Sequence, residues 1–427
     1  MDSTHFDIVI VGAGLAGLSL ATRLCTPQFA HLRIAVVDPR TTFGATHTWS
    51  FFQQEWHGFE NCVASNRQWC NIRVHAAGVQ LSSLSRAHDF AATPYCSIES
   101  TIFYEKSLQL IAGNARIQDI FGHYVESIVV EKDATATVRL LNVATNSARS
   151  LTARLVFDSR PPIAMQVSKQ AWIQAFAGGE VTCAAPHFAD LFAQGEAVLM
   201  DFDVDGGAAF VSIPTFVYLL PSSPTRALVQ ATSFVPPGAR VPSDGTLRAL
   251  ALQYLQTKFA CIDIVEQRFE AGRIVMDAAI PATTILQTIT KIGAAGGFVR
   301  ASTGYSFTRT QRACGVLENA VIRVFPAGFE AKNILISVPI DRWQSPLVPL
   351  MDAVFLEALA TPNFDVGKLM ATLFNRVSPA RLARFLDGNM TFLDAFAVVM
   401  ACPKWVFVRS FFVCAWRFLN CSGGGEK

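Results

Sequence analysis

Apolar and polar positions follow two different periods along this chain. Phe6–Val11 (Phe-Asp-Ile-Val-Ile-Val) and Leu32–Val37 (Leu-Arg-Ile-Ala-Val-Val) are short, nearly continuous apolar runs, the signature of strands buried on both faces of a parallel sheet. Between them, from about Leu15 to Leu24, the apolar positions take helical spacing. Strand, helix and second strand make one βαβ unit of ordinary size. Farther on, β-rich runs at Val125–Val130 and Thr137–Val143, ending in Arg154–Asp158, predict a small antiparallel insertion followed by another core strand.

The pattern changes after that. From Trp172 to Ile292, strands at Ala197–Val204, Ala209–Leu220 and Ala227–Phe234 alternate with a long helix around Thr246–Phe259. Turn signals at Pro221–Pro224 and Pro236–Gly238 separate them. Arg342 to Phe418 is helical almost throughout in its periodicity. The expected organisation is a nucleotide-binding segment over 1–171, a sheet-and-helix substrate domain over 172–292, a return of the nucleotide domain over 293–341, and a helical region over 342–427.

The turn between the first strand and the first helix carries the chemistry. Gly12-Ala13-Gly14-Leu15-Ala16-Gly17 is a GxGxxG element in the context the motif requires. Gly12 permits the tight turn, Gly14 lets backbone approach a pyrophosphate, and Gly17 allows close packing of helix on strand. The N-terminus of the helix, through Leu15 and Ala16, offers unpaired N–H groups to the anion. Asp38 closes the second strand, where an acid can bind a ribose hydroxyl. A second GxGxxG in mid-chain is absent, so one tightly held dinucleotide is expected. The N-terminal position of the motif, and Asp158 at the end of a later strand, favour FAD over NAD. The fold class expected is α/β: a glutathione-reductase-like, FAD-binding Rossmann domain with an interleaved substrate domain.

Composition adds an apolar partner to this picture. Hydrophobic residues make up 51% of the 427 positions and charged ones 16%, against about 25% charged in an average soluble protein. Mean hydropathy is +0.33. A lipid-like substrate or a membrane surface accounts for that excess. The formal charge of +2, with no dense Lys/Arg block, gives no reason to invoke nucleic acid, and none is expected as a partner. Ten scattered cysteines without a CxxC pair argue against a metal site or a redox dithiol, and they suit a reducing, cytoplasmic compartment. Phe392–Leu419 is the most apolar stretch. Asp394, Pro403, Lys404, Arg409 and Arg417 interrupt it, so it fits a peripheral contact with the inner membrane face better than a span.

Several stretches taken in order resemble the lycopene cyclase family of flavoproteins. They are Thr46-His47-Thr48-Trp49-Ser50-Phe51; Tyr95-Cys96-Ser97-Ile98-Glu99-Ser100 with Phe103; Asp158-Ser159-Arg160; Leu199-Met200-Asp201; Leu219-Leu220-Pro221 with Pro224-Thr225-Arg226; and Thr303-Gly304-Tyr305-Ser306. The resemblance covers nearly the whole chain. It implies bound FAD in its reduced form, contacted by Thr48, Trp49, Gly304 and Tyr305 as well as by the glycine turn. It also implies a reaction without net redox change, in which a polyene end gains a proton, closes a ring and loses another proton. A carbocation in such a pocket needs water excluded and π-faces nearby, which suits a chain with 33 Phe and 6 Tyr.

The chain departs from the family at one chemical position. The family's proposed acid–base Glu lies in a Leu-Ile-Glu-Asp-Thr-like strand, and the matching strand here is Leu228-Val229-Gln230-Ala231-Thr232. An amide is no proton donor to an alkene. Arg300-Ala301 also stands where the family usually has His-Pro. Asp201 and Asp203, with Asp205, are the nearest alternative acids, and their spacing puts them on one face of a strand. The expected function is therefore a reduced-FAD-dependent terpenoid cyclase acting on a polyene or prenyl chain. The alternative is a flavin monooxygenase or epoxidase of a lipophilic prenylated substrate, although the Gly-Asp dipeptide usual in such enzymes is absent.

Overall fold

A computed structural model describes residues 4–54, 58–76, 87–161, 169–210, 212–326 and 336–421. Its nucleotide-binding sheet is built around the two predicted apolar runs. Ile117–Phe121, Ile34–Asp38, His5–Val11 and Ala148–Asp158 lie side by side in parallel, in that order. Ala148–Asp158 serves two sheets in one. Its first half pairs antiparallel with Ala136–Asn142, which pairs with His123–Val130, and its last three residues pair parallel with Ile289–Lys291. The insertion expected from the β-rich runs is this antiparallel meander.

The first helix, Leu15–Arg23, buries Ala16, Gly17, Leu18, Ser19, Leu20 and Ala21. Small residues on that face let a second helix, Phe307–Val324, lie close against it. Gln311 Nε2 donates to Ser19 Oγ at 2.8 Å across the contact, and Arg23 meets Glu318 at 3.3 Å.

A second seven-stranded sheet runs in the order Ile264–Met276, Trp172–Cys183, Arg226–Val235, Thr215–Ser223, Glu196–Asp201, Asn71–His75 and Ala87–Asp89. The helix Asp244–Phe259 covers one face through Leu247, Leu250, Tyr254 and Leu255. The C-terminal helices Val348–Leu359, Val366–Arg376, Pro379–Asp387 and Phe392–Ala401 close the other, placing Leu369, Leu373 and Phe374 against Ile72, Leu199 and Phe216.

Two expected boundaries shift. The last two strands of the second sheet come from within 1–171, so the substrate domain borrows an edge from the first segment. Ile289–Lys291, expected in the substrate domain, belongs to the nucleotide sheet. Both are long-range pairings that local apolar pattern does not encode.

Candidate active site

The glycine turn has the geometry that a phosphate cradle needs. Gly12 sits at φ +95°, a conformation that glycine adopts without a Cβ clash. A Cβ on Gly17 would fall 1.8 Å from the Gly12 carbonyl oxygen, so only glycine lets the helix come this close to the strand. A Cβ on Gly14 would meet nothing within 4 Å. Open space therefore stands at Gly14, just before the helix begins at Leu15, where the first-turn N–H groups have no intrahelical acceptors. Gly293, at φ +63°, closes the other side of this turn, facing Ala16 and Ser159. These residues fit a dinucleotide pyrophosphate.

The two strand-end acids hold the loops around that turn. Asp38 is buried; it accepts from the Ala13 N–H at 2.7 Å and from the Arg40 guanidinium through both oxygens at 2.8 and 2.9 Å. Burial works to raise its pKa, but the bonds from Arg40 and Ala13 outweigh it and hold the carboxyl below its usual range. Asp158 is likewise buried between Arg160 and Lys291, whose Nζ lies 2.6 Å away. Its desolvation is again outweighed by these cations, and its pKa is lowered. In this structure both carboxylates already have cationic partners.

A cavity of about 420 Å3 opens where the nucleotide-domain loops meet the second sheet. Thr48, Trp49, Gly304 and Tyr305 all line it, together with Gln230. Its wall is rich in rings, among them Tyr95, Phe176, Phe216, Tyr218 and Phe234. Behind Trp49, the rings of His47, Phe103 and Tyr104 pack edge-on, with centroids 4.5, 5.1 and 6.0 Å away. His47 accepts or donates one bond to Thr46 Oγ1 at 2.8 Å. Burial, reinforced by the charges of Arg40 and Arg268, lowers its pKa to about 4, so it is a neutral imidazole at neutral pH.

Three of the six tyrosines converge here. Tyr218 donates to Ser50 Oγ at 2.7 Å and lies 3.1 Å from the Tyr95 hydroxyl, which Tyr305 reaches at 3.4 Å. Burial pushes all three phenols above their ordinary pKa, so they keep their protons at neutral pH. Gly304, at φ +71°, turns the loop that delivers Tyr305. Arg300, from the same loop, does not face the cavity. Its buried guanidinium pairs with Asp352 at 2.9 Å and stacks on Phe385, pinning the loop to the C-terminal helices.

Gln230 stands within a row of four residues that crosses the sheet. Tyr218 lies opposite Gln230, Gln230 opposite Gly178, and Gly178 opposite Glu270. A Cβ on Gly178 would sit 2.1 Å from the Val229 carbonyl oxygen, so the middle of the row is empty of side chain. Across that gap Gln230 Nε2 donates to Glu270 Oε2 at 2.9 Å. Glu270 Oε1 accepts from Thr48 Oγ1 at 2.7 Å and pairs with Arg268 at 2.5 Å. The buried carboxylate of this site belongs to Glu270.

Asp201 and Asp203 are not part of it, which corrects the expectation that they supply the acid. The strand ends at Asp201, and its pairing shifts register between Val198 and Asp201, so strict alternation fails there. Leu199 and Met200 reach the cavity instead. Asp201 accepts from His75 Nδ1, Tyr254 and the Asp203 N–H, each at 2.9 Å, beneath the Asp244–Phe259 helix. Asp203 lies at the surface, and its bond with Lys258 at 2.5 Å lowers its pKa.

Residues 7–412 match the family described as lycopene cyclase protein. The chain belongs to the lycopene cyclase family. Lycopene beta-cyclase of Pantoea ananas is 24% identical over 402 residues, covering 93% of this chain and 95% of that protein. The chloroplastic lycopene beta cyclase of Solanum lycopersicum is 24% identical over 332 residues, which cover 74% of this chain and 60% of the plant protein.

Among solved structures, a geranylgeranyl bacteriochlorophyll reductase-like protein from Thermoplasma acidophilum has a TM-score of 0.59 at 10% identity, covering 95% of this chain and 98% of that one. The flavin-dependent monooxygenase PieE, in complex with FAD and substrate, has a TM-score of 0.56 at 13% identity, covering 92% of this chain and 72% of its own. At such identities these likenesses establish the fold alone. In this lycopene cyclase family member, sequence reading missed Tyr95 and Tyr218 as a pair, and missed Glu270 altogether. The signal for Glu270 was Gly178-Gly179 in a strand, a place where backbones or side chains from two strands approach closely.

Proposed function

We propose that this chain is a reduced-FAD-dependent, non-redox terpenoid cyclase acting on a linear polyene or prenyl chain at a membrane surface. The observation that carries the reading is the cavity wall. Aromatic rings and aliphatic side chains make up most of a wall that also carries hydroxyls and the amides of Gln174 and Gln230. Gly12, Gly14 and Gly17, with the first turn of the helix, would hold the FAD pyrophosphate, and Thr48, Trp49 and Gly304 would border the rest. When bound and reduced, FAD supplies an electron-rich ring and exchangeable N–H protons.

The rest of the reaction falls to the protein. The cavity binds one end of the polyene folded so that its terminal double bond and the next one approach. A proton added to the terminal double bond leaves a tertiary carbocation. Attack by the neighbouring double bond closes the ring, and loss of a carbon-bound proton restores neutrality, so the product is an isomer. Trp49, Phe176, Phe216 and Phe234 offer π-faces to the cation and no oxygen to trap it. The Ser50–Tyr218–Tyr95–Tyr305 hydroxyl chain holds protons at the cavity wall. Asp201 and Asp203 carry no step.

Anaerobic turnover checks this reading. Protein carrying photoreduced flavin is expected to cyclise a linear polyene such as lycopene through many cycles. Flavin absorbance should stay bleached, and oxidised protein should be inactive. Stoichiometric reoxidation of flavin with each product would refute a non-redox role.

A further inference from the structure

We propose that Glu270, acting through the amide of Gln230, makes this wall of the cavity a binding site for a carbocation. This rests on the cyclase reading for its natural ligand but not for its test.

The orientation of Gln230 follows from its neighbour. A carboxylate only accepts hydrogen bonds, so the amide nitrogen faces Glu270 and the carbonyl oxygen turns the other way. Gln230 lines the cavity, and its carbonyl oxygen receives no hydrogen bond from any described residue. Glu270 itself is 2% exposed and stands behind Gln230 and Thr48. An amide whose N–H is held by an anion gains electron density on its oxygen. The cavity therefore faces a polarised carbonyl oxygen backed by a buried charge. An uncharged ligand gains little from that, whereas a cationic one is attracted.

Glu270 is also held in place by a longer network. Arg226, Glu180, Arg67, Glu99, Arg268 and Glu270 follow one another as alternating charges, with Arg226 at 2.8 Å and Arg67 at 2.9 Å from Glu180. Three guanidiniums and three carboxylates balance, and Arg226, whose side chain is half-exposed, is the end of the network that reaches solvent. Glu270 is the end of it that reaches toward the cavity. In this account it is a positioning residue, because Gln230 and not Glu270 touches the ligand.

The test uses two probes of equal shape: a prenyl chain ending in a tertiary ammonium, which mimics the cation, and its neutral hydrocarbon counterpart. Binding at pH 7 is followed by quenching of tryptophan fluorescence in the full chain. Wild type is expected to prefer the ammonium by about 10- to 100-fold, the scale of a partly screened charge in a protein interior. Glu270→Gln should erase that preference while leaving hydrocarbon affinity unchanged. The double variant Gln230→Glu/Glu270→Gln moves the carboxylate across the intervening strand to position 230 and should restore it. Gln230→Leu keeps the Glu270–Arg268 pair and should lose the preference, which covers the case in which Glu270→Gln does not fold. A wild type without preference, or a Glu270→Gln or Gln230→Leu protein that keeps it, overturns the inference. A wild type that prefers the ammonium yet cyclises no polyene sustains the inference and sinks the cyclase reading instead.

Discussion

Gly14→Val is expected to yield a folded, colourless protein. Gly14 has φ −88° and ψ −165°, an extended conformation that valine adopts readily, and the added Cβ meets nothing within 4 Å. The polypeptide should therefore lose no more than about 0.5 kcal/mol of stability, as for an exposed substitution. The space that the valine fills is where a pyrophosphate must approach the N–H groups of the helix, so flavin content should fall from stoichiometric to undetectable. Gly17→Ala gives the contrasting result. Its Cβ would lie 1.8 Å from a backbone oxygen, so helix and strand must separate and the protein should be destabilised whether or not flavin is present. Flavin absorbance and thermal melting of the two variants separate these effects. A Gly14→Val protein that keeps its full flavin contradicts the placement of the cofactor.

The second large effect is expected at the C-terminus. Phe392–Leu419 folds as two helices, Phe392–Ala401 and Lys404–Cys421, parted at Pro403. Thr391 and Asp394 form a capping box that starts the first helix, and Arg384 pairs with Asp394 at 2.7 Å. Apolar side chains on both helices face outward. Phe392 is 73% exposed, Trp405 83%, Phe412 66% and Trp416 67%. Among the described residues no helix is long and apolar enough to cross a membrane. We propose that this face lies in the lipid interface, with Lys404 and Arg409 among headgroups, while Arg417 pairs with Glu357 at 2.7 Å. Burying one large aromatic side chain is worth about 1.5–3 kcal/mol. Replacing Trp405 and Trp416 together by Ser should therefore cut partitioning onto anionic liposomes by about 100-fold or more, with helix content unchanged because neither ring supports the core. Wild-type protein that remains in the supernatant in a liposome sedimentation assay contradicts the membrane contact.

What sequence could reveal here was set by how local each feature is. The glycine turn, its flanking strands and the two strand-end acids all lie in short stretches whose geometry follows from neighbouring residues, and the structure places them together. The order of family-like segments extended that reading to the whole chain. The carboxylate of the site was hidden for the opposite reason. Glu270 is 40 residues from Gln230 and meets it only because two strands take a particular register around a glycine. Asp201 looked like the better acid because strict alternation was assumed for its strand, and an irregular pairing sends it under a helix instead. The tyrosine cluster likewise draws one residue from each of three distant segments. Register, bulges and long-range contacts decide which polar groups face one another, and a linear pattern of residues does not carry them.

The central claim is that ring closure proceeds by proton gain and proton loss with no oxygen or electrons transferred. Mass spectrometry of the product formed in D2O tests it most directly. With reduced flavin and no air, each ring closed should take up one solvent deuteron and expel one carbon-bound proton, while the same reaction in H2O gives a product of unchanged mass. A product heavier by one oxygen atom when air is admitted, or a cyclic product without solvent deuterium, would contradict the account.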